Sequence, residues 1–122
     1  MRYDVVFIGA ALTCLLVGEG MGIYMGIAQD FTLSPVHAHL NLLGWVTLVV
    51  YGLLHRAYPQ LAASRLASPQ AVLAIAGAVL MPAGIAAAML AHFYLLAFAG
   101  SFAVLAATLM FAFMFARKAA RA

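Results

Sequence analysis

Four apolar runs, each long enough to carry a helix through a bilayer, leave this chain very few ways to fold. A helix rises about 1.5 Å per residue, so roughly twenty residues cross the roughly 30 Å of hydrocarbon. Residues 5–27, 36–54, 71–90 and 93–115 each supply such a run. Lipid offers no partner to a backbone N–H or C=O, and a helix satisfies these groups within the segment. The expected fold class is therefore all-α, a four-helix transmembrane bundle, with residues 1–122 as a single four-span membrane domain. The uncharged stretch from residue 71 to 115 would be about 68 Å long as one helix, roughly twice the membrane. It is expected to turn back near Ala91 and His92.

Only 7% of the residues are charged, against about 25% in an ordinary soluble domain. The net charge of +3 comes from Arg2, Arg56, Arg65, Arg117, Lys118 and Arg121, and all six lie outside the runs. With four spans, the N-terminus, the loop from Arg56 to Pro69 and the C-terminus share one side. The positive-inside rule makes that side cytoplasmic. The expected setting is a bacterial-type inner membrane with both termini in the cytoplasm. These charges orient the protein in the bilayer, and no nucleic-acid partner is expected. Arg2 ahead of an apolar run also fits a signal peptide, but three more spans and no soluble domain follow, so the first span is expected to be retained. A single cysteine, Cys14, excludes an intramolecular disulfide.

Ser34-Pro35 and Ser68-Pro69 read as helix starts, a serine cap followed by proline in the first turn. Pro82 and Gly84 fall inside the third span, where a kink is expected and tolerated. Gly18, Gly22 and Gly26 repeat every fourth residue of the first span. Such a face lets helices approach closely; it also offers a flat surface on which a planar cofactor could lie.

The stretch from Ser34 to Trp45, SPVHAHLNLLGW, places polar residues at the head of a lipid-soluble segment. Projected at about 100° per residue, Asn41, Gly44, Thr47, Tyr51 and His55 fall on the side of His37, and this stripe is expected to face the bundle. His39 lies about 200° round the axis from His37, among valines and leucines. The two histidines point in opposite directions, which suits two separate sites, or one site and one structural histidine, better than joint chelation of one ion. His37, His39 and His92 gather at one membrane level. The positive end of the helix dipole disfavours imidazolium, so His37 is expected to stay neutral and keep a lone pair. His55, beside Arg56, reads as an interfacial residue. Glu19 lies about 12 Å below the outer end of the first span, where a lone carboxyl costs several kcal/mol. It is expected to be protonated or hydrogen-bonded, with Asn41 or Tyr24 as partner.

HAHLNLLGW followed by VTLVVYGLLHRAYP resembles the haem-copper oxidase subunit I superfamily, in particular its nitric-oxide-reductase-like branch and small four-span members. In that family a His-x-His near the outer end of one helix ligates two haems on opposite faces. The resemblance implies His37 as the high-spin haem ligand, His39 as the low-spin ligand, and His92 as the residue able to complete a bis-histidine pair. It rests on some twenty to thirty residues of the second span. The chain lacks the further histidines that hold copper in the family, so oxygen or nitric oxide reduction by this chain alone is not expected.

The leading expectation is a small integral membrane protein that binds b-type haem near its outer face, in electron transfer, gas sensing or haem handling. Its cofactor-binding residues would be His37, His39, His92, Asn41 and Glu19, with His37, His39 and His92 on the metal. One alternative is a copper or zinc site built from His37, His92 and Glu19, since a mixed imidazole and carboxylate set suits those ions. Another is a cofactor-free structural or assembly protein. The expected partners are the lipid bilayer, a redox partner or quinone, and a second copy of the chain. A symmetric dimer gives His39 something to face, because its side of the span is otherwise apolar.

Overall fold

The structure, a computed structural model, describes residues 1–119 and Arg121. It is an all-α four-helix bundle: α1 (Tyr3–Ala28), α2 (Ser34–Ala57), α3 (Ala67–Ala91) and α4 (Leu95–Met114, continued by a π-helical turn over Phe115–Ala119). Each helix is long and apolar enough to cross a membrane, and the chain is a multi-pass membrane protein. A short 3-10 turn, Pro59–Ala63, interrupts the connection between α2 and α3. The Arg56 guanidinium reaches Asp4 at the start of α1, and Tyr58 packs edge-on against Phe115 at 5.4 Å. These contacts bring the start of α1, the end of α2 and the end of α4 to one basic end. The turns 29–33 and 92–94 form the distal end.

Those two turns share a stop signal. Gln29 ends α1 with φ of 51° and donates its backbone N–H to Met25 O; His92 ends α3 with φ of 53° and donates to Ala87 O. Left-handed backbone costs a residue with a Cβ on the order of 1 kcal/mol, and the recovered carbonyl bond offsets it. The turn expected at Ala91 and His92 is where the chain reverses. The serine caps are corrected: neither Ser34 nor Ser68 caps with its side chain, and Leu33 and Leu66 hold the cap positions. Ser34 and Pro35 form the first turn of α2, where the missing proline N–H goes unused in any case. α3 continues through the buried Pro82.

Two helix pairs build the bundle. α3 and α4 meet backbone to backbone: a Cβ on Gly100 would lie 2.5 Å from Met81 N, and one on Gly77 would lie 2.8 Å from Val104 Cγ2. α1 and α2 also meet through glycines, but there the filling groups are side chains; Gly44 receives Cys14, and Gly52 receives Ile8 and Phe7. At the basic end Phe7, Leu48, Leu61 and Met114 are fully buried, and Tyr51 lies between Phe7 (5.5 Å) and Phe111 (4.5 Å). Apolar side chains gain little from leaving lipid for a protein interior, so close packing of this kind is what holds the pairs.

Candidate functional site around His37 and His39

Residues Leu40–Thr47 of α2 are π-helical. Bonds from i to i+5 widen the turn, and Thr47 Oγ1 follows the same spacing by donating to Leu42 O at 2.8 Å. Extended π-helix is uncommon and recurs at functional sites. Here it begins directly after His39. It also means that a projection at 100° per residue drifts beyond Leu40, although Tyr51 and His55 still end up inward.

His37 is half-buried and faces α1, as expected of the polar stripe. Its Cε1 edge rests on Gly22, 3.1 Å from where a Cβ would stand. Asn41, one turn on, sets its amide Nδ2 3.2 Å from Nε2 and 3.4 Å from Nδ1 of the same ring, donating to whichever nitrogen is unprotonated. The other end of that amide is pressed onto Gly18, and its buried Oδ1 has no partner among the described residues. The glycines at 18 and 22 are therefore occupied by Asn41 and His37; Gly26 faces open space.

His39 differs. Its Nδ1 lies 2.7 Å from Pro35 O, four residues back. A carbonyl only accepts, so Nδ1 carries a proton, and in the neutral ring the lone pair is then on Nε2. His39 is half-buried, and its Nε2 makes no hydrogen bond among the described residues.

The remaining expected residues lie apart. Glu19 is exposed on α1 within a row formed by Leu12, Leu16, Ile23 and Ile27, and it makes no hydrogen bond among the described residues. This corrects the expected pairing with Asn41 or Tyr24. Glu19 follows Gly18 by one residue, and that 100° step turns it from the α2 interface to the outer surface. Tyr24 is exposed as well. His92 is exposed in the distal turn. Among the described residues no three His, Cys, Asp or Glu side chains come together as a metal-binding group. At the distal end a hollow of about 390 Å³ is lined by Met21, Tyr24, Met25, Asp30, Thr32, Leu33 and Leu90, with neither histidine in its wall. Asp30 fixes its rim: it accepts from Thr32 Oγ1 (2.6 Å) and Thr32 N–H (3.1 Å), and these bonds hold its carboxyl below the usual range.

His55 is also corrected. It is 5% exposed rather than interfacial, stacked on Phe7 at 5.6 Å and close to Tyr3 and Phe111. Among the described residues neither ring nitrogen has a partner, and neither does the amide of the fully buried Gln70. Gln70 carried no signal of its own in the sequence; one residue after Ser68-Pro69, it reads as the first turn of a span. Compared with known protein families, with characterised proteins and with solved structures, the chain matches none.

Proposed function

We propose that this membrane protein binds b-type haem at its distal end with His39 Nε2 as an axial ligand, and acts in electron transfer, gas sensing or haem handling. The observation that carries this reading is the 2.7 Å contact between His39 Nδ1 and Pro35 O. A backbone carbonyl on Nδ1 fixes the tautomer of the neutral ring and orients it, which is the supporting arrangement that ligating imidazoles commonly have. Axial imidazole is a standard haem ligand. The residues present fit at His39. They fit less directly at His37, whose ring edge is covered by α1, so a ligand role there needs α1 to yield. The resemblance of HAHLNLLGW to the haem-copper oxidase subunit I superfamily and the π-helical stretch beside it support the same location.

Bound haem would supply one-electron chemistry or a gas-binding iron. The chain's own part is to hold a neutral imidazole at a set angle near the distal boundary. Absorption spectroscopy of the protein purified in detergent tests this. A Soret band that shifts on dithionite is expected. Bound copper or zinc without such a band, or neither, would overturn the haem reading.

A further inference from the structure

At the basic end, the first turn of α1 and the last of α2 meet in a charge cluster. Arg2 forms a two-pronged pair with Asp4, Nε to Oδ1 at 2.9 Å and Nη2 to Oδ2 at 2.8 Å. Arg56 Nη1 approaches the same Oδ2 at 3.4 Å. One carboxylate thus serves two guanidinium groups, and the two arginine side chains remain 67% and 70% exposed. The cluster is net positive, and most of its N–H donors are free to take an anion.

Two hollows adjoin these three side chains. One, of about 240 Å³, is lined by Arg2, Asp4 and Arg56 together with Tyr3, His55 and Pro59. His55 brings to it a 95% buried imidazole whose two nitrogens have no partner among the described residues. A neutral imidazole has one donor and one acceptor, and a group that both accepts and donates, such as a hydroxyl, matches the pair. The other hollow, of about 460 Å³, leaves the same cluster along α1 past Val5, Ile8 and Gly9 to Leu12. Its wall is apolar, and a Cβ on Gly9 would meet nothing within 4 Å.

We propose that this is a binding site for one anionic phospholipid with a hydroxyl-bearing headgroup, of the phosphatidylglycerol type. The phosphate sits on Arg2 and Arg56, the headgroup hydroxyls enter the pocket toward His55, and an acyl chain follows the groove from Val5 to Leu12. The arginine cluster lines both hollows, so pocket, charge cluster and groove stand in the order in which such a lipid carries its headgroup hydroxyls, phosphate and acyl chain. Neither a bare phosphate nor a hydrocarbon would use all three. The site lies at the far end of the bundle from His37 and His39 and is independent of haem.

Native mass spectrometry of the full chain in non-ionic detergent tests the proposal, with dioleoyl-phosphatidylglycerol, dioleoyl-phosphatidylcholine and sn-glycerol 1-phosphate as probes. One phosphatidylglycerol is expected to be retained in preference to phosphatidylcholine, and glycerol phosphate is expected not to be retained. Each arginine removed, in Arg2→Gln and Arg56→Gln, should lower that retention about fivefold, the size expected for one basic side chain at an anionic lipid surface. Gly9→Leu, which fills the groove, and His55→Phe should lower it with the charges intact. Arg2→Lys with Arg56→Lys keeps the charge and should recover most of the preference, which separates loss of binding from loss of fold. Equal retention of the two lipids, or a preference that survives both glutamines, overturns the site. Retention of glycerol phosphate as strong as that of the lipid overturns the lipid in favour of a soluble phosphate ester.

Discussion

The imidazole of His37 rests on Gly22 of α1, so close that a methyl group on the glycine would stand 3.1 Å from Cε1. One turn away the amide of Asn41 is pressed onto Gly18 in the same manner. The separation of α1 and α2 at the distal end is therefore set by two polar side chains, each seated where a neighbour has none.

Glycines in this bundle should respond to alanine with opposite signs. Gly100→Ala would push a Cβ to 2.6 Å from Met81 Cα, a backbone atom that cannot swing aside, and should cost about 2 kcal/mol or more. Gly22→Ala meets only the movable ring of His37 and should cost less. Gly26→Ala meets nothing within 4 Å and should gain up to about 1 kcal/mol from helix propensity. Thermal melting in one detergent should rank them Gly26→Ala, wild type, Gly22→Ala, Gly100→Ala.

Gln70 is fully buried, and neither amide atom has a partner among the described residues. Gln70→Met keeps the volume and removes two unmet polar groups, which should raise stability by about 1–3 kcal/mol. A fall in melting temperature would mean that the amide is satisfied in the native membrane.

The two histidines of α2 should separate in a spectrum. His39→Ala is expected to abolish the Soret band with helicity intact. His37→Ala should instead lower the melting temperature, by loosening the seat on Gly22. The dimer expected from the apolar surroundings of His39 should weaken in His39→Ala, as read by native mass. A His39→Ala protein with full haem absorbance and unchanged oligomer size would remove His39 from both roles.

All six lysines and arginines flank the ends of the helices that meet at the basic end or the loop between α2 and α3. A fluorescent protein fused to the C-terminus is expected to fluoresce, and alkaline phosphatase at the same point to be inactive, because the positive-inside rule assigns that end to the cytoplasm. The reverse pattern would invert the topology.

The four spans and the reversal at His92 were legible because run length against bilayer thickness leaves no other arrangement. The glycine face of α1 was legible too, since spacing by four marks one side of a helix. Three features were not. No residue pattern announces that Leu40–Thr47 winds with i to i+5 bonds, which depend on how α2 settles against its neighbours. His55 looked interfacial because the apolar run stops at residue 54, whereas the helix continues to Ala57 and the turn Pro59–Ala63 buries Leu61. Glu19 looked paired because a lone carboxyl in lipid is costly, but Asn41 is taken up by Gly18 and His37.

The three-residue turn between α3 and α4 has a consequence for the order of assembly and for motion. Helices joined so closely find each other by local search, and contacts near in sequence form fastest. Once Gly84 and Gly100 lie against opposing backbone, the pair has no rotamer through which to relax, and it behaves as a stiff block. The contact of α1 with α2 at the distal end is made by an imidazole and an amide that can both turn. Strain introduced there, by a ligand drawn to His37 for example, is expected to be taken up by α1 moving against α2 while α3 and α4 stay in place.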